Sequence, residues 1–131
     1  MNCVLDASAA LDLAFNGESS KKIKKLLSEA DIVYAPHLYI ADVTNVLWKY
    51  VGRKYISESN AQTILALILQ YVDMFIDLAD NAIESLHEAS RLNHPAYDMF
   101  YFTIARRNSA LLITKDKKLS SLAKKHGVKT I

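Results

Sequence analysis

Glycine and proline are scarce: three and two among 131 residues. That excludes long flexible linkers and low-complexity stretches, and short loops between regular elements are expected. There is a single cysteine, Cys3, so no intrachain disulfide can form and a cysteine zinc site cannot be built. No apolar run approaches the ~20 residues of a membrane helix. The opening Met1-Asn2-Cys3-Val4-Leu5-Asp6 lacks a basic n-region and reaches an acid at once, unlike a signal peptide. Neither sign of charge dominates, since 16 Lys and Arg face 14 Asp and Glu, leaving +2. This balance neither requires nor excludes a nucleic-acid partner, because a basic stripe can sit on a nearly neutral protein. The glycines stand alone at 17, 52 and 127. Dinucleotide-binding G-x-G-x-x-G, phosphate-binding G-x-x-x-x-G-K-[ST] and the G-x-S-x-G nucleophile elbow are therefore all missing. His37, His87, His94 and His126 show no paired ligand spacing and read as surface or core residues.

What is present is an ordinary globular balance, 51% hydrophobic and 23% charged. One domain over residues 1–131 is expected, soluble and cytoplasmic, with one real core. Short apolar runs at Val4-Leu5, Ile32–Tyr34, Met74–Ile76 and Ala110–Thr114 predict strands, Pro36 stopping the second, and Val128–Thr130 a fifth. Helical spacing is found over 6–15, from Ser19 or Ser20 to Ala30, over 38–51, after Ser57, from Asp80 to Leu92, over 96–108 and over 116–125. On the helix beginning at Asp80, the expected inner side is Ala82, Ile83, Leu86, Ala89 and Ser90. The run Ile64–Leu69 is apolar on nearly every side, so it is expected to be buried on two faces, the second cover being core or another subunit. Strands alternating with helices imply a parallel sheet of four to five strands covered on both faces.

The informative residues are acids in apolar company. Asp6 follows the first strand and Asp116 follows the fourth, which places both at the carboxyl edge of a parallel sheet, where such sheets bind ligands. Asp98 is the only charge between Arg91 and Arg106, and Asp42 lies in Tyr39-Ile40-Ala41-Asp42-Val43 with Asn45 one turn on. Each has a plainer reading: Asp6, Asp98 and Asp116 can cap helices, and Asp42 can face solvent. Four acids beside apolar segments would instead repel one another unless a cation neutralises them. Oxygen-only ligands suit Mg²⁺ or Mn²⁺, the ions of metal-assisted phosphodiester hydrolysis. Asp12, Asp31, Asp73, Asp77, Asp80 and the five glutamates read as caps and exposed faces.

Val4-Leu5-Asp6-Ala7-Ser8-Ala9, Asp42-x-x-Asn45-x-Leu47, Tyr97-Asp98-x-x-Tyr101 and Leu112-Ile113-Thr114-x-Asp116, in that order, resemble the PIN-domain ribonucleases. Within them the pattern is similar to the VapC-like toxins of type II toxin–antitoxin systems, over almost the whole chain. The resemblance implies a three-layer α/β/α fold. It implies an endoribonuclease that uses Mg²⁺ or Mn²⁺, with Asp6, Asp42, Asp98 and Asp116 as metal-site carboxylates. Asp42 stands where the family usually has Glu, one methylene longer. Ser8, Asn45 and Thr114 match positions that orient ligands or water. A homodimer, a cognate antitoxin, an RNA substrate, and products with 5′-phosphate and 3′-hydroxyl ends are implied in the same way. Lys115, Lys117, Lys118, Arg106, Arg107 and Lys49 lie near the motifs as phosphate contacts, whereas Lys21–Lys25 reads as a solvated face. The alternatives are a PIN module that binds RNA or protein without cutting, a haloacid-dehalogenase-like phosphatase, which needs an acid where Ser8 stands, and a receiver domain, which needs an acid pair near the first strand.

Overall fold

The computed structural model describes residues 1–131. In chain order the elements are β1 (Cys3–Leu5), α1 (Ala7–Ala14), α2 (Ser20–Glu29), β2 (Val33–Pro36), α3 (Leu38–Gly52) and α4 (Glu58–Gln70). They continue with β3 (Met74–Ile76), α5 (Leu78–Leu92), α6 (Ala96–Arg107), β4 (Leu111–Ile113) and α7 (Lys117–Lys125). The four strands are parallel, in the order β3-β2-β1-β4. Every residue of β1 and β4 is buried, as expected of parallel strands covered on both faces. Helix α6 lies across β2, β1 and β4 with α5 packed on it, while α1 contacts α2, α3 and α4. The architecture is therefore three-layered, α/β/α. Val128–Thr130 does not form a fifth strand: a single bridge joins Thr130 to Leu112, and Pro36 ends β2 from within, paired with Ile76.

Topology fixes where a site can form. The chain steps outward from β1 to β2 to β3, then returns to the far side of β1 to lay down β4. The β1–β4 junction is thus the point where strand order reverses, and the crevice beyond its carboxyl ends is the natural binding position. Asp6 and Thr114 are the residues that leave those two strands. Gly17 closes the α1–α2 corner. A Cβ there would stand 2.0 Å from Asp12 Oδ1, and Asp12 uses its carboxylate to accept the Ser19 amide. Helix α4 starts as expected, with Ser57 accepting the Asn60 amide. Ile68 is buried in the monomer, Ile64, Leu65 and Leu69 are half-buried, and Leu67 is exposed, so α4 is not covered on two faces within the chain.

Helix α5 departs from its expected orientation. It begins at Leu78 rather than being capped by Asp80, with non-helical backbone at Asn81. Its buried residues are Asn81, Ser85 and Glu88, whereas Ile83 is 87% and Leu86 65% exposed. The reason lies on α6. Asn81 Nδ2 donates to Thr103 Oγ1 (2.6 Å) and to the Phe100 carbonyl (3.1 Å), and Ser85 Oγ is 3.1 Å from Thr103 Oγ1. Arg106 reaches Glu84 (2.6 Å) and Glu88 (3.4 Å), Arg107 Nε reaches Glu84 (2.6 Å), and Arg91 reaches Glu88 (2.6 Å). A polar face on α6 demands a polar face on α5, because buried donors and acceptors left unpaired cost more than exposed methyl groups.

Glu88 is the buried member of this network. The Arg91 hydrogen bond, with Arg106 beyond it, holds its carboxyl below the ordinary 4.5 against the opposing effect of burial. A depressed carboxyl stabilises the fold above its unfolded value and loses that contribution as pH falls through its folded value. Glu88→Gln should lower stability by about 1–2 kcal/mol at pH 7 in urea denaturation. The gap from wild type should close as pH drops below about 4.5; a gap independent of pH would mean that the charge does not hold the seam.

Candidate active site

Asp6 occupies the position that begins α1 but its side chain does not cap that helix. Its Oδ2 instead accepts Ser8 Oγ (2.9 Å) and the hydroxyl of Thr114. Both donors are themselves fixed: Ser8 Oγ accepts the Lys115 amide (2.9 Å) and Thr114 Oγ1 accepts the Asp116 amide (3.0 Å). One carboxylate oxygen therefore ties the end of β1 to the β4–α7 loop. Asp6 is only 8% exposed. Burial pushes its carboxyl upward, the Thr114 and Ser8 bonds pull the other way, and the nearby charge of Asp98 raises it further.

Three other acids approach from three other elements. Asp42, on α3, accepts the Tyr101 hydroxyl on Oδ2 (3.0 Å). Its carboxyl is raised by burial, lowered by that bond and raised again by Asp98. Asp98 lies in the first turn of α6, where it could have capped the helix amides. It does not: its Oδ2 sits 2.7 Å from His94 Nε2. Asp116 does act as a cap, its Oδ1 accepting the Lys118 (2.9 Å) and Leu119 (3.2 Å) amides at the start of α7. Asp6, Asp42 and Asp98 are thus close enough for Asp98 to raise the other two, while Asp116 stands at the rim. Tyr101 is buried, and desolvation, then the charges of Asp6 and Asp42, push its hydroxyl far above the ordinary range, so it remains a neutral donor.

As the side chains stand, no three carboxylates or imidazoles converge on one point at coordination distance. Each acid has one oxygen drawn to its own donor, and Oδ1 of Asp42 and Asp98 and Oδ2 of Asp116 take no hydrogen bond from the protein. The donor set nevertheless fits a hard divalent cation. It is all oxygen, burial and to a lesser degree the Asp98 charge raise Asp6 and Asp42, and a cation would offset both effects. Asn45 is exposed on α3, its side chain makes no hydrogen bond, and it takes no part in the network that joins Ser8 and Thr114 to Asp6.

Two shallow grooves meet at Asp116. One, between α2 and α7, is lined by Lys22, Lys115 and Lys117; the other, beside the α5–α6 corner, by His94, Lys117, Lys118 and Lys125. Lys22, expected on a plain solvated face, therefore borders the site. Arg106 and Arg107, expected near phosphate, are engaged by Glu84 on the far seam, and Lys115 Nζ is held by Glu18 (3.1 Å) and Ser19 (2.7 Å). Sequence reasoning missed His94 and gave Tyr101 no role. The signal for Tyr101 was its spacing of three from Asp98 on one helix face.

The family model for the PIN domain matches residues 3–125. Ribonuclease VapC1 of Mycobacterium tuberculosis is 33% identical over 120 residues, covering 91% of this chain and 89% of the relative. Among solved structures, PAE2754 from Pyrobaculum aerophilum superposes with a TM-score of 0.76 at 23% identity, covering 99% of this chain and 83% of that one. VapBC2 from Rickettsia felis, solved bound to a DNA fragment from its promoter, gives 0.71 at 14% identity, covering 100% and 98%. With Asp6 and Thr114 leaving the strands of the β1–β4 switch point and a family match over residues 3–125, this chain belongs to the PIN-domain family.

Proposed function

We propose that this protein is a divalent-cation-dependent endoribonuclease, the toxin of a toxin–antitoxin pair acting in the cytoplasm. The observation that carries the reading is the approach of Asp6, Asp42 and Asp98, from three separate elements, at the crevice where strand order reverses. Its similarity to Ribonuclease VapC1 supports the substrate class, and its likeness in fold to the VapBC2 structure fits a protein antitoxin as partner. No helix is long and apolar enough to cross a membrane.

In this reading Asp6 and Asp98 hold Mg²⁺ or Mn²⁺, with Asp42 and Asp116 beside them. The ion supplies Lewis-acid chemistry when bound, polarising a phosphodiester and easing deprotonation of an attacking water. The chain's own residues set up the reaction. Ser8 and Thr114 fix the Asp6 carboxylate, and Tyr101 orients Asp42, whose side chain is one methylene shorter than Glu. Lys117 and Lys118 flank the Asp116 rim and receive backbone phosphates, which positions RNA without reading its sequence. A second reading, an RNA-binding PIN module without cleavage, is favoured by one observation: no three ligand groups are preassembled.

Cleavage of structured RNAs by wild type should require Mg²⁺ or Mn²⁺, stop with EDTA, and fall by about 100-fold or more in Asp6→Asn and Asp98→Asn. Lys117→Ala should weaken RNA binding and flatten its dependence on salt. Wild type that is folded, binds Mn²⁺ and still cuts no RNA would support the binding module.

Metal-free protein should show the cost of the carboxylate cluster. A buried carboxyl raised above its unfolded value withdraws stability as pH rises from the unfolded value through the folded one. Asp6→Asn should therefore raise the metal-free melting temperature at pH 7 by roughly a few degrees. The gain should vanish below about pH 4, where Asp6 is protonated in both states. The same variant should lose the stabilisation that Mn²⁺ confers on wild type. A metal-free variant no more stable than wild type would contradict the electrostatic account of the site.

We also place a second copy of the chain on α5, whose outward face carries Ile83 and Leu86 where a monomer's helix would carry polar residues. Wild type should run as a dimer by light scattering, and Ile83→Asp with Leu86→Asp as a monomer that keeps its fold. A dimer unaffected by both changes would move the interface elsewhere, with the exposed Trp48 and Tyr55 of the α3 end as the next surface to test.

A further inference from the structure

We infer that His94 is a positioning residue for Asp98: it holds one carboxylate oxygen so that the other is presented to the cation. The inference rests on the metal-dependent reading above. His94 Nε2 lies 2.7 Å from Asp98 Oδ2, and the imidazole is the more buried partner, its side chain 11% exposed against 29% for Asp98. An ionised carboxylate only accepts hydrogen bonds, so Nε2 carries the hydrogen and the ring donates. Asp98 Oδ2 is thereby committed, and Oδ1, which takes no hydrogen bond from the protein, is the oxygen left for a ligand.

The backbone delivers the ring to this place. Helix α5 ends at Asn93 in the left-handed region (φ 50°, ψ 53°), the His94 amide closes on the Ala89 carbonyl at 3.1 Å, and Pro95 opens α6. A left-handed residue, a closing amide bond and a proline leave this corner few alternative conformations. His94 therefore enters the crevice from a rigid turn between two packed helices. It also shares a groove with Asp98, Asp116 and Lys118, so it borders the same space as the acids. The plainer role, a staple between the α5–α6 corner and the first turn of α6, predicts lost stability and nothing more. A positioning role predicts lost cation affinity that a replacement donor restores, since carboxylate ligands depend on the groups that orient them.

The test is Mn²⁺ binding to the full chain, measured by calorimetry, for wild type, His94→Phe and His94→Gln, with metal-free melting curves for each. Phe keeps the ring and removes the donor; Gln can put an amide N–H near the position of Nε2. His94→Phe should bind Mn²⁺ about 10–100-fold more weakly than wild type. His94→Gln should stay within roughly threefold, because the hydrogen bond is kept. Cleavage by His94→Phe at limiting Mn²⁺ should fall with affinity and recover in excess Mn²⁺. If the phenyl ring is not accommodated, His94→Ala takes its place in the same comparison. Wild-type affinity in the variant lacking the donor overturns the inference and leaves the nuclease reading intact. Equal losses of affinity and melting temperature in both variants reduce His94 to a staple and overturn it too. A wild type that binds no Mn²⁺ overturns the metal-dependent reading itself, and His94 with it.

Discussion

One shared acceptor organises the functional edge of this molecule. Asp6 Oδ2 takes hydrogen bonds from Ser8 and Thr114, and each of those hydroxyls takes an amide from the β4–α7 loop. Two strand ends distant in sequence are thus bound through a single carboxylate oxygen, in a place where an unsatisfied charge would be costly. The position of Asp116 follows from it, because the Asp116 amide closes on Thr114 before the side chain turns to cap α7. The backbone reinforces the tie, with the Asp6 amide bonded to the Ile113 carbonyl at 3.0 Å. A carboxylate is well suited to this task, since it accepts several bonds at once and donates none to compete with them.

The same residue carries an opposing stress. On the proposed function Asp6 has to be ionised to hold a cation, whereas burial first, and the Asp98 charge after it, favour the protonated form against the Thr114 and Ser8 bonds. Asp42 is in a milder version of the same conflict. The buried Tyr101 shows how the fold manages it. Its hydroxyl is driven so far from ionisation that it remains a donor at any physiological pH, so it steadies Asp42 without adding negative charge. A neutral donor is what a crowded set of carboxylates can tolerate, and the hydroxyls of Ser8 and Thr114 are of the same kind.

Much of this arrangement was legible in the sequence, and the parts that were not share a cause. Strands were visible because parallel strands buried on two faces are apolar at every position, and the acids ending β1 and β4 were conspicuous against them. The plain reading of Asp116 as a helix cap also proved sound, although the same reading failed for Asp6 and Asp98. Capping is decided by side-chain rotamer, which spacing does not encode. Helix α5 was turned the wrong way because apolar periodicity is taken to mark the buried face. Here the partner helix is polar along the contact, so Ile83 and Leu86 face outward. His94 was passed over because it lies outside the helix whose first turn it serves. Hydrogen-bond complementarity between two elements belongs to neither segment alone, and a reading of one segment at a time does not contain it.

The orientation of α5 also fixes the partners of three arginines. With Glu84 and Glu88 turned toward α6, Arg106, Arg107 and Arg91 are drawn to them, and the bidentate geometry of guanidinium suits carboxylates held on a helix. Arg106 and Arg107 lie in the last turn of α6, at the opposite end of that helix from Asp98, and Arg106 borders the start of β4 rather than the crevice. What borders the crevice instead is lysine: Lys22 and Lys117 on one side of Asp116, and Lys118 and Lys125 on the other. Lysine contributes a point charge on a flexible stem, which follows a backbone without imposing a fixed fork on it. On the proposed function, a lysine-lined crevice would attract RNA through long-range charge and respond to salt. On the same proposal, target selection would come from the shape of the RNA and its fit into the two grooves, since phosphate contacts carry no sequence information. The inward polar face of α5 therefore has two consequences at once. It turns Ile83 and Leu86 outward, the face proposed above for a second copy, and it pairs Glu84 and Glu88 with the arginines of the α5–α6 seam.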